Sequence, residues 1–402
     1  MTITSTSGQK GLPRWFETFF AILRRIEQGT LEGSLPDGRV FAAVGTHAGP
    51  VGRIDVRNTD FFTRMARDGE LGFGEMYLDG WWTTPDLQAL MDVILLNNEA
   101  ISRPFAGAVL VRAYERARHW LRANTRTGAR RNIAYHYDLG NEFYGAWLDP
   151  SMTYSSALFE PGAQTLGEAQ ERKYAAICDR IGLKPGQHVL EIGCGWGGFA
   201  EYAIRERGAR VTGLTLSREQ QDFARKRLFD AGFAERADIV LRDYREERGA
   251  YDGVASIEMF EAVGEAYWPT YFRALFDRLK PGAQAGLQVI TIADHLFARY
   301  RSSTDFIQKY IFPGGVLPSP EVLHRQIGDA GLQIVGSKEF GEDYSRTLRE
   351  WRAEFNRRWD GIAALGFDSR FHRMWNFYLA SCAACFMAET TDVTQMALRR
   401  PM

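Results

Sequence analysis

A glycine-rich turn is the first stretch of this sequence whose residue types and spacing could do chemistry. The apolar run at 189–192 breaks into the glycine-rich residues 193–198, and a helical pattern follows. Glycines allow positive φ and a close approach of backbone to ligand, and the first N–H groups of a helix have no partner inside it. The layout is typical of a nucleotide-binding α/β sheet. The alternative is a tight strand-to-helix turn that binds nothing.

The elements that must position this turn alternate between strand and helix from Thr165 onward. Five strand patterns are predicted, at 188–192, 210–216, 238–241, 251–257 and 285–292. Such alternation indicates a parallel sheet with helices on both faces, and ligands bind at the carboxyl ends of its strands. That rule predicts one pocket from the turn at 193–197, residues 215–217, 243–244 and 258–261, and Thr291.

Composition excludes several function classes. The chain has 402 residues, 45% of them hydrophobic, and a net charge of −1. This charge argues against a general nucleic-acid binder. No apolar run approaches the ~20 residues of a membrane span, and the first residues lack the apolar core of a signal peptide. Of the four cysteines, Cys382 and Cys385 form a Cys-x-x-Cys pair, but no second Cys/His pair accompanies it, so no metal site is predicted.

Residues 1–125 are interpreted as a small N-terminal α+β domain, and residues 126–402 as the catalytic domain. The N-terminal part combines an amphipathic helix pattern near 15–26 with short strand patterns. It ends in a basic segment with seven arginines between positions 112 and 131 and one opposing acid, Glu115. A solvated helix face and a surface for anionic lipid headgroups are both open for this segment.

The glycine spacing separates two cofactor classes. Gly193-x-Gly195-x-Gly197, with Glu191 just before the turn, departs from the dinucleotide-binding spacing. It resembles the loop of class I S-adenosylmethionine (SAM) methyltransferases. In that class the loop packs on an amino-acid moiety and a ribose, so no pyrophosphate seat is needed.

Motifs over nearly the whole chain resemble the cyclopropane fatty acid synthase family. Besides the glycine turn they lie at 137–141, 154–157, 215–217, 220, 260–264, 310–319 and 343–348, with 58–62 and 74–82 in the N-terminal part. The resemblance implies an α/β, Rossmann-like class I methyltransferase sheet with a helical acyl-binding insertion. It also implies an enzyme that takes its methyl group from SAM and acts on the cis double bond of a phospholipid acyl chain.

The resemblance assigns two sets of binding residues. SAM is expected to contact Tyr154, Ser155, Gly193, Cys194, Gly195, Trp196, Thr215, Leu216, Gln220 and Asp243. The acyl chain is expected to run along a channel that includes Tyr137, Tyr310 and Phe312.

A third set concerns the base that removes a proton after methyl transfer. In the family this base is a bicarbonate ion, and the residues that hold it correspond here to Ser156, Glu261, Gln288, Ile290 and Tyr344. Ser156 replaces the usual cysteine and Gln288 the usual histidine. The second change matters more, because glutamine does not titrate near neutral pH whereas histidine does.

Two products therefore stay open. If bicarbonate still binds, a cyclopropane forms, and the family resemblance favours this product. If proton removal is redirected, the chain becomes methyl- or methylene-branched. More distant alternatives are a small-molecule methyltransferase, a non-catalytic lipid-transfer protein and an NAD-dependent oxidoreductase.

Partners and location are expectations from the same resemblance. We expect peripheral contact with unsaturated phospholipid at the inner, cytoplasmic face of a membrane, through the basic segment and the helix near 15–26. A homodimer is expected, and no nucleic-acid partner.

Overall fold

The structure is a computed structural model, and it describes residues 2–6, 8–102, 139–159, 162 and 165–402. These residues form two compact units. The first unit comprises the described residues up to 102 together with 302–311 and 359–389, and the second comprises the remainder. The boundary predicted after residue 125 lies outside the described residues and stays a prediction. One boundary in the sequence cannot describe the two units, because two later segments belong to the first unit.

The described part of the first unit is a five-stranded sheet with helices, numbered here along the chain. The strand order is β1-β3-β2-β4-β5. The strands are β1 (Thr2–Ile3), β2 (Gln28–Ser34), β3 (Val40–Val44), β4 (His47–Val56) and β5 (Trp82–Thr83). The helices are α1 (Phe16–Leu23), α2 (Phe61–Leu78), α3 (Leu87–Leu96), α4 (Asn98–Ser102), α11 (Phe306–Tyr310), α14 (Trp359–Ala364) and α15 (Ser369–Met387).

Aromatic packing holds this unit together. Alternate residues of β2 and β3 are buried, as expected for a sheet with one covered face. The ring of Phe16 meets Phe41 and Phe62 edge-on, at centroid distances of 5.3 and 5.2 Å. The rings of Phe306 and Phe377 lie 4.6 Å apart and belong to the same core. Burial of these two rings explains why late segments fold with the N-terminal part.

The described part of the second unit is a seven-stranded sheet with the order β11-β12-β10-β9-β6-β7-β8. Its strands are β6 (His188–Ile192), β7 (Arg210–Thr215), β8 (Ala237–Leu241), β9 (Tyr251–Ile257), β10 (Leu279–Ile292), β11 (Gln333–Glu339) and β12 (Thr391–Arg399). Its helices are α5 (Asn141–Gly145), α6 (Leu166–Ile181), α7 (Gly198–Arg207), α8 (Arg218–Asp230), α9 (Trp268–Arg278), α10 (Asp294–Arg301), α12 (Pro320–Asp329) and α13 (Gly341–Arg357).

This sheet confirms the α/β fold class. Strands β6 to β10 pair in parallel, as the alternating pattern predicts. The sequence reading missed β11 and β12, which add an antiparallel edge. Neither strand shows a period-two pattern, because β11 is mostly exposed and β12 is buried on both faces over most of its length.

No helix among the described residues is long and apolar enough to cross a bilayer.

Candidate active site

A cleft at the carboxyl ends of β6, β7 and β9 is lined by all ten residues predicted to contact SAM. Three turn glycines have positive φ: 82° at Gly193, 49° at Gly195 and 83° at Gly197. A Cβ on Gly193 would lie 2.7 Å from Cγ of Met259, so only glycine fits there. The sheet therefore brings these residues together, and their individual contacts with SAM remain a prediction.

Glu191 is a buried carboxyl group in the lining of the cleft. Its side chain is 3% exposed. Its Oε2 has no hydrogen-bond partner among the described residues. Burial raises the pKa of this carboxyl to about 8. An unpartnered buried acceptor at a strand end fits the positively charged amino-acid moiety of SAM, so the residues present suit the cofactor.

The end of β7 offers a second polar group to the cleft. The Thr215 hydroxyl donates to the side-chain oxygen of Gln220 at 2.8 Å, and accepts from the Ser217 N–H at 3.1 Å. The Ser217 hydroxyl caps α8 by accepting from the Gln220 N–H at 3.3 Å. The Gln220 side chain does not accept from the Ser217 N–H in turn, so Ser217 is an N-cap residue without a reciprocal capping box.

Asp243 lies at the other side of the cleft in an ion pair. Its carboxylate accepts from the Arg245 guanidinium at 2.5 Å and from the Arg245 N–H at 3.0 Å. This pair fixes the direction of the Asp243 side chain, which is 2% exposed.

Aromatic rings of the second unit form a wall around Tyr154. Its ring centroid lies 5.3 Å from Trp351, 5.4 Å from Tyr144 and 6.5 Å from Phe312. Of the predicted channel residues, Phe312 therefore contacts a residue of the cleft. Tyr310 belongs to the first unit, where its hydroxyl donates to Glu75 at 2.9 Å. Tyr137 lies outside the described residues.

Glu258 is the centre of the cluster predicted to hold bicarbonate. Its Oε1 accepts from the Ser156 N–H at 2.8 Å and from Nε2 of Gln288 at 2.7 Å, and its Oε2 accepts from the Tyr344 hydroxyl at 2.7 Å. These four residues are called the Glu258 cluster below. The carboxylate thus takes three of the contacts expected for the bicarbonate ion. Whether bicarbonate also binds stays a prediction.

The backbone of Glu258 is strained. Its φ is 48°, in the left-handed region that non-glycine residues avoid at a cost of about 1–2 kcal/mol. Its N–H donates to the Gln288 carbonyl at 2.9 Å, which ties the strained residue to β10. The side chain also lines the cleft, so this strained position joins the Glu258 cluster to the predicted SAM site.

The other two predicted base-site residues contact each other. The Ile290 N–H donates to Oε1 of Glu261 at 2.6 Å. Oε2 of Glu261 is buried and has no hydrogen-bond partner in the described part of the chain. Burial, and then the negative charge of Glu258, raise the pKa of Glu261 to about 8. The five predicted residues thus fall into two groups, one around Glu258 and one at Glu261.

A chain of amide groups fixes the direction of the Gln288 side chain. The guanidinium of Arg180 donates to Oε1 of Gln395 at 3.2 Å, and Nε2 of Gln395 donates to Oε1 of Gln288 at 2.9 Å. The Gln288 amide must therefore present its NH₂ to Glu258, because its oxygen is already an acceptor.

Lys173 is a buried lysine whose positive charge interacts with Glu258. Nζ of Lys173 donates to the Ser155 hydroxyl and to Oε1 of Gln170, both at 2.6 Å. Burial lowers the pKa of Lys173, and the negative charges of Glu258, Asp149 and Glu191 oppose this shift. Lys173 thus acts on Glu258 through charge, while its hydrogen bonds go to neutral groups.

Comparison with known proteins now decides the family. The sequence profile of the mycolic acid cyclopropane synthetase family matches residues 124–396. The chain belongs to this family. Tuberculostearic acid methyltransferase UfaA1 of Mycobacterium tuberculosis is 43% identical over 358 residues, 84% of this chain and 80% of that protein. Cyclopropane-fatty-acyl-phospholipid synthase of Escherichia coli K12 is 35% identical over 358 residues, 86% and 87% of the two chains.

Solved structures of the cyclopropane synthetase family agree with the fold. Cyclopropane synthase MmaA2 of Mycobacterium tuberculosis covers 67% of this chain and 98% of its own, at 30% identity and a TM-score of 0.63. Mycolic acid cyclopropane synthase CmaA1 in complex with SAH and CTAB covers the same shares, at 28% identity and a TM-score of 0.64. The chain is therefore an enzyme, a SAM-dependent methyltransferase, as the motifs indicated.

Sequence reasoning assigned no role to three members of this site. Glu258 was placed in the pocket only as part of the segment 258–261. Lys173 lies on the buried face of α6 at helical spacing from Ala169 and Ile177. A charged residue on an otherwise apolar helix face could have marked it as a site residue from the sequence. Gln395 lies on β12, a strand that the pattern did not reveal.

Proposed function

We propose that this enzyme transfers the methyl group of SAM to the cis double bond of an unsaturated acyl chain in a membrane phospholipid. The observation that carries the proposal is the continuity of the site: Glu258 belongs to the lining of the SAM cleft and to the predicted proton-acceptor cluster. SAM supplies an electrophilic methyl group on a sulfonium sulfur. Addition of that methyl to an alkene leaves a positive charge on the acyl chain.

The aromatic wall suits that positive charge. The rings of Tyr154, Trp351 and Phe312 offer π-faces and apolar edges, which do not react with a carbocation as water or an amine would. Such faces stabilise a nearby cation by about 0.5–2 kcal/mol each. They also exclude water, which would otherwise trap the cation as an alcohol. A site built for N- or O-methylation has no need of this protection.

Two products share the same atom balance. A methyl is added and a proton is lost in both, so a cyclopropane and a methylene-branched chain are isomers. The family motifs support the ring. The Glu258 cluster supports the branch, because its donors already bind a side-chain carboxylate where the ring-forming route expects bicarbonate. The relative at 43% identity is named as a tuberculostearic acid methyltransferase and not as a cyclopropane synthase. On these two grounds we propose the methylene-branched product.

We also propose peripheral contact with the inner face of the membrane, since the substrate chain is part of the bilayer. The basic segment expected to carry this contact, 112–131, lies outside the described residues. Cosedimentation with vesicles tests the idea: binding should rise with the fraction of anionic lipid and fall with salt. A homodimer stays a proposal that sedimentation velocity can test.

The function is tested with SAM carrying a ¹³C-labelled methyl group and with vesicles of dioleoyl or distearoyl phosphatidylethanolamine. We expect label only in the unsaturated lipid. NMR then separates the isomers, because an exocyclic methylene carbon and a cyclopropane carbon have very different shifts. Equal labelling of both lipids, or label only in a headgroup or small molecule, would contradict the proposal.

A further inference from the structure

We propose that the carboxylate of Glu258 is the proton acceptor of this enzyme, in the place of a bound bicarbonate ion. The inference rests on the proposed function, because it concerns the proton lost after methyl transfer to an alkene. It goes further by naming a side chain that performs this step and three residues that position it. These are Ser156, Gln288 and Tyr344.

The hydrogen bonds leave one side of the carboxylate available. Among the described residues, Oε1 accepts two hydrogen bonds and Oε2 accepts one, from Tyr344. A carboxylate has about four lone-pair sites, so Oε2 retains one in this arrangement. Glu258 is part of the lining of the cleft in which SAM is expected to deliver its methyl group.

The donors are all neutral, which keeps the carboxylate able to take a proton. In the part of the chain that the structure describes, a backbone N–H, an amide and a phenol hold its direction, and none of these donors is a cation. Lys173 contributes positive charge, but its Nζ bonds to Ser155 and Gln170. Burial raises the pKa of Glu258 above its usual range, and Tyr344 and Lys173 offset part of that rise. A carboxylate in this state is a stronger base than an exposed one.

The step balances without a further reactant. A C–H bond of the transferred methyl group breaks, and its proton goes to Oε2 of Glu258. The electron pair of that bond closes on the cationic carbon. If it closes at once, a ring forms. If a hydride first shifts from the methyl-bearing carbon to the cationic carbon, the cation moves to the methyl-bearing carbon. The same electron pair then forms the exocyclic double bond. Glu258 later returns the proton to solvent.

The backbone at position 258 provides a sharp test. A glycine tolerates the φ of 48° better than glutamate does, and its missing side chain leaves space among three intact donors. We expect Glu258→Gly to fold, to bind SAM in calorimetry and to lose about 100-fold in turnover in bicarbonate-free buffer. Added bicarbonate should restore at least about tenfold. NMR with ¹³C-bicarbonate should detect binding to this variant and not to the wild type.

Two variants serve as controls. Glu258→Gln fills the same space without a basic oxygen, so it should lose turnover and show neither rescue nor bicarbonate binding. Glu247→Gln removes another buried carboxylate, which accepts from backbone N–H groups, from Tyr251 and from the guanidinium of Arg242, but which does not belong to the cleft lining. It should retain turnover within about threefold per folded molecule, since general-base loss costs far more.

The outcomes separate this inference from the proposed function. If the wild type forms no product from unsaturated lipid, the proposed function fails. If it forms product but requires bicarbonate, or if Glu258→Gln turns over as fast as the wild type, the acceptor is not Glu258. Loss of turnover in Glu258→Gly without bicarbonate binding or rescue would also overturn the inference.

Discussion

Glu75 and Glu258 each accept a hydrogen bond from a tyrosine hydroxyl, yet their surroundings differ in kind. Glu75 in the first unit also accepts from Lys309 at 2.6 Å and from Arg64 at 2.7 Å. These residues, with Tyr310, are called the Glu75 cluster. Among the described residues, the other donors to Glu258 in the second unit are neutral, a backbone N–H and an amide.

The difference in donors shifts the pKa of the two carboxyl groups in opposite directions. At Glu75 burial favours the neutral acid, but the hydrogen bonds from Lys309 and Tyr310 and the charge of Lys309 outweigh it, so the pKa falls below its usual range. At Glu258 burial prevails and the pKa rises. Two cations make a carboxylate a structural anion, whereas neutral donors hold one in place and leave it able to exchange a proton.

The largest expected effect comes from removing a cation from the Glu75 cluster. The Arg64 guanidinium also bonds to Asp79 at 3.3 Å and is 17% exposed as a side chain. Arg64→Met should lower the free energy of unfolding by about 2–3 kcal/mol, because acidic groups lose a partly buried partner. Denaturant titration measures this.

The matched control is Arg67→Met, which removes an exposed arginine from the same helix. Its side chain is 65% exposed and pairs with Asp68. Its loss should change stability by no more than about 0.5 kcal/mol. If Arg64→Met were equally mild, the Glu75 cluster would not be the structural anion described here.

The second effect is a contrast in pH dependence. In the second unit the pKa of Glu191 is raised to about 8, so this carboxyl stabilises the fold fully below the unfolded value of 4.5 and loses that contribution as pH rises through 8. Glu75 has a lowered pKa, so its contribution is present above 4.5 and is lost as pH falls.

Substitution by glutamine should therefore act in different pH windows. As pH rises from 5 to 7, the free energy of unfolding of Glu191→Gln should increase by about 2 kcal/mol relative to that of the wild type, measured without SAM. Glu75→Gln should instead change how steeply the free energy of unfolding varies with pH below pH 4.5. Parallel stability curves for Glu191→Gln and the wild type from pH 5 to 7 would refute the assignment.

The smallest effect concerns the two tyrosines. Tyr344→Phe should lower kcat about tenfold, which is about 1.4 kcal/mol, because Glu258 loses one of three positioning bonds. Its pH–rate profile should shift as well, since a purely structural loss would leave the profile in place. Tyr310→Phe should cost about 1 kcal/mol of stability and change kcat less than Tyr344→Phe does.

Much of the fold could be predicted because its signals are local. Alternating strand and helix patterns predicted the parallel sheet, and the turn glycines predicted the cleft at its edge. The signals failed where long-range packing decides. Strand β12 pairs between β10 and β11 without a period-two pattern, and α15 joins a core that includes Ile3 and Phe16.

The site divides in the same way. The motifs identified Ser156, Gln288 and Tyr344, and the structure places all three around one acceptor. That acceptor is Glu258, which family motifs could not reveal because the expected occupant was an ion and not a side chain. Only the three-dimensional contacts show that the change at Gln288 is accompanied by a carboxylate beside it.

The most direct measurement of the central claim is the ionisation of the two glutamates. The side-chain carboxyl carbons can be followed by ¹³C NMR in glutamate-labelled protein, with signals assigned through Glu258→Gln and Glu75→Gln. The account predicts that Glu258 titrates above the usual value of 4.5 and Glu75 below it. A Glu258 that titrates below 4.5, as Glu75 does, would contradict its role as proton acceptor.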